Sequence, residues 1–149
     1  MKIALITDTH FGARNDNANF NDYFYKFYEG VFFPYLHQHG IKTCIHLGDV
    51  MDRRKFVSYK TAKDFRERFI LPFSQLKINL HMLVGNHDTF YKNTNDVNSV
   101  DCLLSQYKNV IPVSQPKEYK VGGENILLVP WICQDNQDQT FEPDARSMP

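Results

Sequence analysis

Cysteine is scarce in this 149-residue chain, and the three present, Cys44, Cys102 and Cys133, lie far apart with no Cys-x-x-Cys pair. That fits reduced thiols acting as core filler better than a disulfide framework or a zinc knuckle. Charge of one sign is not in excess either, since 17 Lys and Arg balance 17 Asp and Glu. No global field draws the chain to nucleic acid or a membrane, so any attraction for phosphate must be local or carried by a metal. Long apolar runs are missing: none approaches the ~18 residues of a membrane span, and the apolar N-terminal segment is broken by Asp8 and lacks a small-residue cleavage site. Internal repeats and low-complexity tracts are absent as well. These absences point to a soluble, cytoplasmic protein with no membrane partner. With 42% hydrophobic and 23% charged residues, the composition is that of one globular domain with a real core.

Three apolar runs, each ending in residues that can bind a metal, dominate what is there. Lys2 to Thr7 leads to Asp8-Thr9-His10, Thr43 to Leu47 to Gly48-Asp49, and Asn79 to Val84 to Gly85-Asn86-His87-Asp88. Such short, continuously apolar runs are expected as strands buried on both faces of a parallel sheet. Between the first two, Phe20, Phe24, Phe27, Val31 and Tyr35 recur at helical spacing, which predicts a helix with an aromatic buried face, stopped by Gly40. Between the second and third, Ser58 is placed to cap a helix carrying Ala62, Phe65, Phe69, Phe73 and Leu76 inward, with Pro72 kinking or ending it. A short helix with Val100, Leu103, Leu104 and Tyr107 and a strand over Val110 to Val113 follow. Glu118 to Val121 and Asn125 to Val129 flank Gly122-Gly123, a hairpin signal. Residues 1–133 thus read as one domain, and 134–149 as a polar tail or interrupted helix.

Strand-helix units in series imply a parallel sheet whose strand-end loops gather along one edge. Asp8, His10, Asp49, Asn86 and His87 would all meet there. Oxygen ligands mixed with imidazole suit manganese, iron or zinc, and a carboxylate between neighbouring units can bridge two ions that orient a phosphate. Taken alone, Asp-x-His and Gly-Asp are weak signals, whereas Gly-Asn-His-Asp arises by chance only about once in 10⁵ positions. Seven Lys or Arg against Asp64 and Glu67 between Arg53 and Arg68 form a basic run. Either it is a solvated helix face, or Arg53, Arg54 and Lys55 contact a phosphate backbone.

Asp8-x-His10, Gly48-Asp49-x-x-Asp52 and Gly85-Asn86-His87-Asp88 resemble the first three motifs of the calcineurin-like metallophosphoesterases. Asp8-Thr9-His10-Phe11-Gly12 is similar to the opening of the SbcCD-type double-strand-break repair nucleases. Gly48 to Lys55, His87 to Asn93 and Val129 to Cys133 resemble the nuclease subunit of tailed-phage recombination endonucleases. The resemblance implies the N-terminal portion of an α/β, αββα sandwich, with parallel βαβαβ units and then an antiparallel hairpin. It also implies two divalent metal ions, manganese first among them, with Asp8 and His10 on one, Asp49 bridging and Asn86 on the other. His87 would contact the scissile phosphate, with Asp88 orienting its ring. DNA, an SMC-like coiled-coil ATPase subunit (SbcC-like), a second copy of the chain and a separately encoded C-terminal half are the implied partners.

Relatives continue with Gly-His and Gly-His-x-His motifs that supply three more ligands. None of the six histidines here follows a glycine. The expectation is therefore an incomplete nuclease domain acting in recombination and repair. A generic phosphatase or nucleotide phosphodiesterase on the same scaffold, and a catalytically inactive fragment that only binds, stay open beside it.

Overall fold

The computed structural model describes residues 2–141. Four strands, β1 (Ala4–Ile6), β2 (Thr43–His46), β3 (Asn79–Leu83) and β4 (Val110–Val113), form one parallel sheet in the order β1-β2-β3-β4. A separate antiparallel hairpin, β5 (Lys117–Val121) with β6 (Glu124–Leu128), turns at Gly122 and Gly123, both at positive φ. The result is the expected α/β arrangement of a parallel βαβαβ start followed by a hairpin.

Strand alternation sorts the sheet residues onto two faces. Cys44, Leu80, Met82 and Val110 face the main core, which is built around the helices. Ile45, Leu83 and Val113 face the other way and pack with Leu128, Tyr119 and Ile126 of the hairpin. The sheet therefore lies between a helical layer and the hairpin.

The first helical run of that layer comprises α1 (Ala18–Phe27) and α2 (Phe33–Gln38), joined by a π turn over Tyr28–Phe32. The second comprises α3 (Tyr59–Phe65) and α4 (Leu71–Gln75), joined by a π turn over Arg66–Ile70. In both, a proline follows the turn, Pro34 or Pro72, and the residue before it reaches back five positions, Phe33 N–H to Tyr28 O and Leu71 N–H to Arg66 O. Proline cannot donate a helical bond, and the wider turn absorbs that defect, so Pro72 does not end its helix. Ser58 caps α3 by accepting from Thr61 N–H, as expected. Both helical runs close in the same way. Ile41 N–H bonds Leu36 O with Gly40 at φ 62°, and Ile78 N–H bonds Phe73 O with Lys77 at φ 55°. α5 (Ser99–Leu104), capped by Asn98, precedes β4, and α6 (Gln137–Phe141) follows a turn anchored by the buried Asn136.

Three expectations are corrected. The aromatic face of the first helix is the opposite one: Tyr25, Tyr28, Phe33 and Leu36 are buried, whereas Val31 is 56% and Tyr35 53% exposed. β1 is an edge strand and is not buried on both faces, for Leu5 is 64% exposed. Cys44 and Cys133 are buried thiols, but Cys102 is exposed and fills no core. The part of the expected polar tail over 142–149 lies outside the described residues. No helix among the described residues is long and apolar enough to cross a membrane.

Candidate metal centre

Phe11 fixes the first loop. Buried directly after His10, its ring lies 4.7 Å from Phe65 and 5.0 Å from Phe69, and its backbone pairs with Met51. Pairing between the β1 and β2 ends continues beyond the strands, with Asp8 N–H to Gly48 O at 3.1 Å and His10 N–H to Asp49 O at 3.1 Å. This zipped pair of loops runs through unusual backbone: Asp8, His10 and Asp49 have φ of 52°, 41° and 55°. A left-handed conformation costs a non-glycine residue about 1–2 kcal/mol, and such strain concentrates where side chains must be aimed.

It aims them at one another. Asp8, His10 and Asp49 each offer a ligand atom within 4.8 Å of the others. His10 Nε2 lies 3.6 Å from Asp8 Oδ1, while Nδ1 is buried without a hydrogen-bond partner and lies 3.9 Å from Asp52 Oδ1. The Asn86 amide atom facing Asp49 sits 3.1 Å from its Oδ2 and 3.3 Å from its Oδ1. With nitrogen in that place the amide donates to the carboxylate, and with oxygen there, two ligand oxygens converge as a shared cation requires. Two carboxylates, an imidazole and an amide oxygen are a donor set suited to first-row divalent ions. The residues fit the metal implied by the motifs. Asp8, Asp49 and Asn86 wall an open cleft of about 250 Å³ with Thr7, Gly85, Val129 and Trp131.

Gly85 and Gly48 make the convergence possible. A Cβ on Gly85 would collide with Asp49 N and Oδ1, and one on Gly48 would meet Gly85 Cα at 2.9 Å. Here glycine serves close backbone approach.

Asp88 has a different task from the expected one. Its buried carboxylate accepts Val50 N–H at 3.0 Å, Met51 N–H at 2.9 Å and Gly85 N–H at 2.9 Å, with Ser99 Oγ at 3.2 Å. It clamps the second loop to the third. Burial raises its pKa, opposed by the backbone donors from Met51, Gly85 and Val50. The His87 ring is oriented instead by the Asp52 carbonyl, 2.8 Å from Nδ1, while the His87 N–H donates to Asp49 Oδ1 at 2.9 Å. The His87 and His10 rings meet edge to face at 4.9 Å.

Of the expected phosphate contacts, Arg53 is already committed. It pairs with Asp16 Oδ2 at 3.1 Å and donates to Asn15 Oδ1 at 2.7 Å. Asp16 ends a left-handed turn in which Arg14, Asn15 and Asp16 all have positive φ, and donors from Thr61, Ser58 and Arg53 hold its pKa low. Most of the basic run on α3 and its continuation is likewise paired, as in Lys60–Asp64 and Lys63–Glu67, and Arg68 reaches Asp22 and Glu29. Arg54 and Lys55 have no carboxylate partner among the described residues. They lie over aromatic rings, Arg54 5.3 Å from Trp131 and Lys55 5.3 Å from Phe90.

His46 and Asp52 were not picked out as site residues. His46 is fully buried at the end of β2, where Nδ1 accepts Gly48 N–H at 3.2 Å, leaving Nε2–H to donate to Thr9 Oγ1 at 3.0 Å. It ties the first ligand loop to the second, and burial pushes its pKa down to about 3. Its position ahead of Leu47-Gly48-Asp49 was the only signal available.

A sequence-family model described as calcineurin-like phosphoesterase matches residues 1–144. Over 149 aligned residues, 95% of the chain, the sequence is 32% identical to exonuclease subunit 1 of Enterobacteria phage T4, of whose length it spans 41%. A solved structure, a protein of unknown function from Aquifex aeolicus, aligns with 87% of this chain and 60% of its own at 20% identity and a TM-score of 0.42, too low to bear on the fold.

Proposed function

The chain belongs to the calcineurin-like phosphoesterase family, and from that premise we propose that it serves metal-dependent hydrolysis of phosphodiester bonds in DNA, as the exonuclease or endonuclease subunit of a recombination and repair assembly. The observation that carries this reading is the meeting of Asp8, His10 and Asp49 within 4.8 Å of one another at the ends of neighbouring parallel strands. The phage relative, itself an exonuclease subunit, supports DNA as substrate over a small phosphoester.

In this reading Asp8, His10, Asp49 and Asn86 would hold the divalent metal. When bound, such ions, manganese in the first instance, supply Lewis acidity and a hydroxide nucleophile at neutral pH. The chain's own groups do the rest. With Nδ1–H donating to the Asp52 carbonyl, Nε2 is the His87 nitrogen left to face the phosphate, and the cationic ring would give its Nε2 proton to the leaving oxygen. Arg54 and Lys55 offer charge to the flanking phosphates.

The sheet face beside the ligands supports a covering second layer. Leu5 is 64% and Leu47 49% exposed next to Asp8 and Asp49, an apolar surface suited to a second sheet that brings the remaining ligands. A further segment or a separately encoded half fills that role. The other partners are an SMC-like coiled-coil ATPase and a second copy of the chain.

The test compares manganese-dependent turnover of duplex DNA with that of a small phosphodiester. The 149-residue chain alone is expected to be nearly inactive, and addition of the covering half is expected to restore cleavage of DNA in preference to the small ester. Preference for the small ester sinks the nuclease assignment, and robust cleavage by the chain alone sinks the incomplete site. A second reading, an inactive fragment that only binds, is favoured by the donor set among the described residues, where Asp8, His10 and Asp49 form one ligating group and the Asn86 amide lies against Asp49.

A further inference from the structure

The loop after Asp49 has two sides. On one, Asp52 meets His10 and His87, and the other walls a separate slot of about 180 Å³ lined by Met51, Phe56, Val57, Phe90, Val97 and Leu103. Arg54 and Lys55 belong to the same lining, and the slot reaches Asp88, the sequence neighbour of His87. The space is well below the roughly 300–1,000 Å³ of a drug-sized ligand site, yet ample for one planar ring system.

Its chemistry narrows the occupant. Phe56 and Phe90 offer exposed aromatic rings. Arg54 has Nη1 buried without a hydrogen-bond partner, and neither it nor Lys55 is neutralised by a carboxylate among the described residues. An apolar slot bordered by two such cations suits a flat ring joined to an anion, which is the chemistry of a nucleotide. The uncharged polar side chains of the lining are already used. Asn98 Nδ2 donates to Asn95 O at 2.8 Å and Asp101 Oδ2 at 2.7 Å, Asn98 Oδ1 accepts Asp101 N–H at 2.8 Å, and Ser99 Oγ donates to Asp88. Little is left to read the hydrogen-bonding edge of a base, so the slot takes any base by shape and stacking. A base still paired inside a duplex cannot enter it.

We propose that this slot receives the base of an unpaired nucleotide, with Arg54 and Lys55 on its phosphate, so that the strand is held beside His87. The proposal rests on the DNA reading above, and adds that the substrate is engaged through a frayed or single-stranded portion without base preference.

Cys102 provides the probe, because it is exposed on the wall of the slot whereas Cys44 and Cys133 are buried. The rate of its alkylation by N-ethylmaleimide is measured on the full chain in EDTA, where no metal-dependent cleavage occurs. An oligothymidylate at ten times its Kd is expected to slow alkylation about tenfold. Inorganic phosphate and a duplex closed by hairpins at both ends are expected to leave the rate unchanged. No slowing by the oligonucleotide overturns the slot, equal slowing by phosphate reduces it to an anion site, and equal slowing by the closed duplex overturns the need for an unpaired base. Val97→Glu, which sets a charge in the apolar lining that would hold the base, is expected to remove the protection while free Cys102 stays reactive; protection that persists counts against the slot. Protection without any manganese-dependent cleavage by the completed assembly leaves the slot standing and removes the nuclease reading, whereas cleavage without protection does the reverse.

Discussion

Gly85 has no room for one more carbon. An alanine Cβ there would strike Asp49 at its nitrogen and Oδ1, so Gly85→Ala is expected to displace that carboxylate and weaken manganese binding by about 10–100-fold, the range for lost support of a ligand. Calorimetric titration of both proteins checks this, and equal affinity would remove Asp49 from the ligand set. His46 carries a pH dependence. Its imidazole sits near 3 in the fold against 6.5 for the ordinary group, so in that interval the unfolded chain binds the extra proton. Its contribution to stability is present above about pH 6.5 and lost as pH falls toward 3. Urea unfolding between pH 7 and 4 should show a falling midpoint, with a shallower slope in His46→Asn. Asp8, His10, Asp49 and Asn86 were legible as candidates because each follows a strand directly. The tasks of Asp88 and His46 were not. Asp88 lies 38 positions from Val50 N–H and His46 37 from Thr9 Oγ1, and order along a chain does not reveal which donor meets which acceptor.

At the scale of elements, the first helical run shows why its buried face was misread. Aromatic residues occupy both sides, so spacing alone cannot choose between the stripe Phe20, Phe24, Phe27 and the stripe Tyr25, Tyr28. The π turn then adds a residue, putting Phe33 five positions after Tyr28 and in line with the buried set. Packing against Phe11, Phe69 and Phe73 decides the matter. In the second run Phe65, Phe69 and Phe73 were read correctly because its opposite side is charged, though Thr61 is the buried residue where Ala62 was expected. Helix closure was legible where glycine marks it, at Gly40, but Lys77 occupies the same left-handed position without that mark. The contrast is measurable: Gly40→Ala should cost about 1 kcal/mol and Lys77→Gly should stabilise by a similar amount. Chemical denaturation of the two variants checks both signs.

At the scale of the molecule, three parallel strands and the hairpin were readable from run length and turn residues, but that Val110–Val113 joins them in parallel and which surfaces stay uncovered were not, since both depend on neighbours. One such surface is the stripe with Tyr23 72% exposed, together with Phe27, Val31 and Tyr35. An apolar stripe of this kind suits a self-complementary contact between two copies. Val31→Glu combined with Tyr35→Glu is expected to leave a monomer where the unaltered chain sediments as a dimer, and a monomeric unaltered chain would argue against pairing. The clamp at Asp88 has a wider meaning. Val50, Met51 and Gly85 all end on one carboxylate while His87 N–H ends on Asp49, so two ligand loops are a single rigid cradle before any ion arrives. A cradle that cannot contract around a smaller cation, or widen for a larger one, discriminates among metals by radius and coordination number. On the proposed metal reading, selection of the ion would be inherited from the spacing of β2 and β3, and a change in the core beneath them would alter metal preference without touching a ligand.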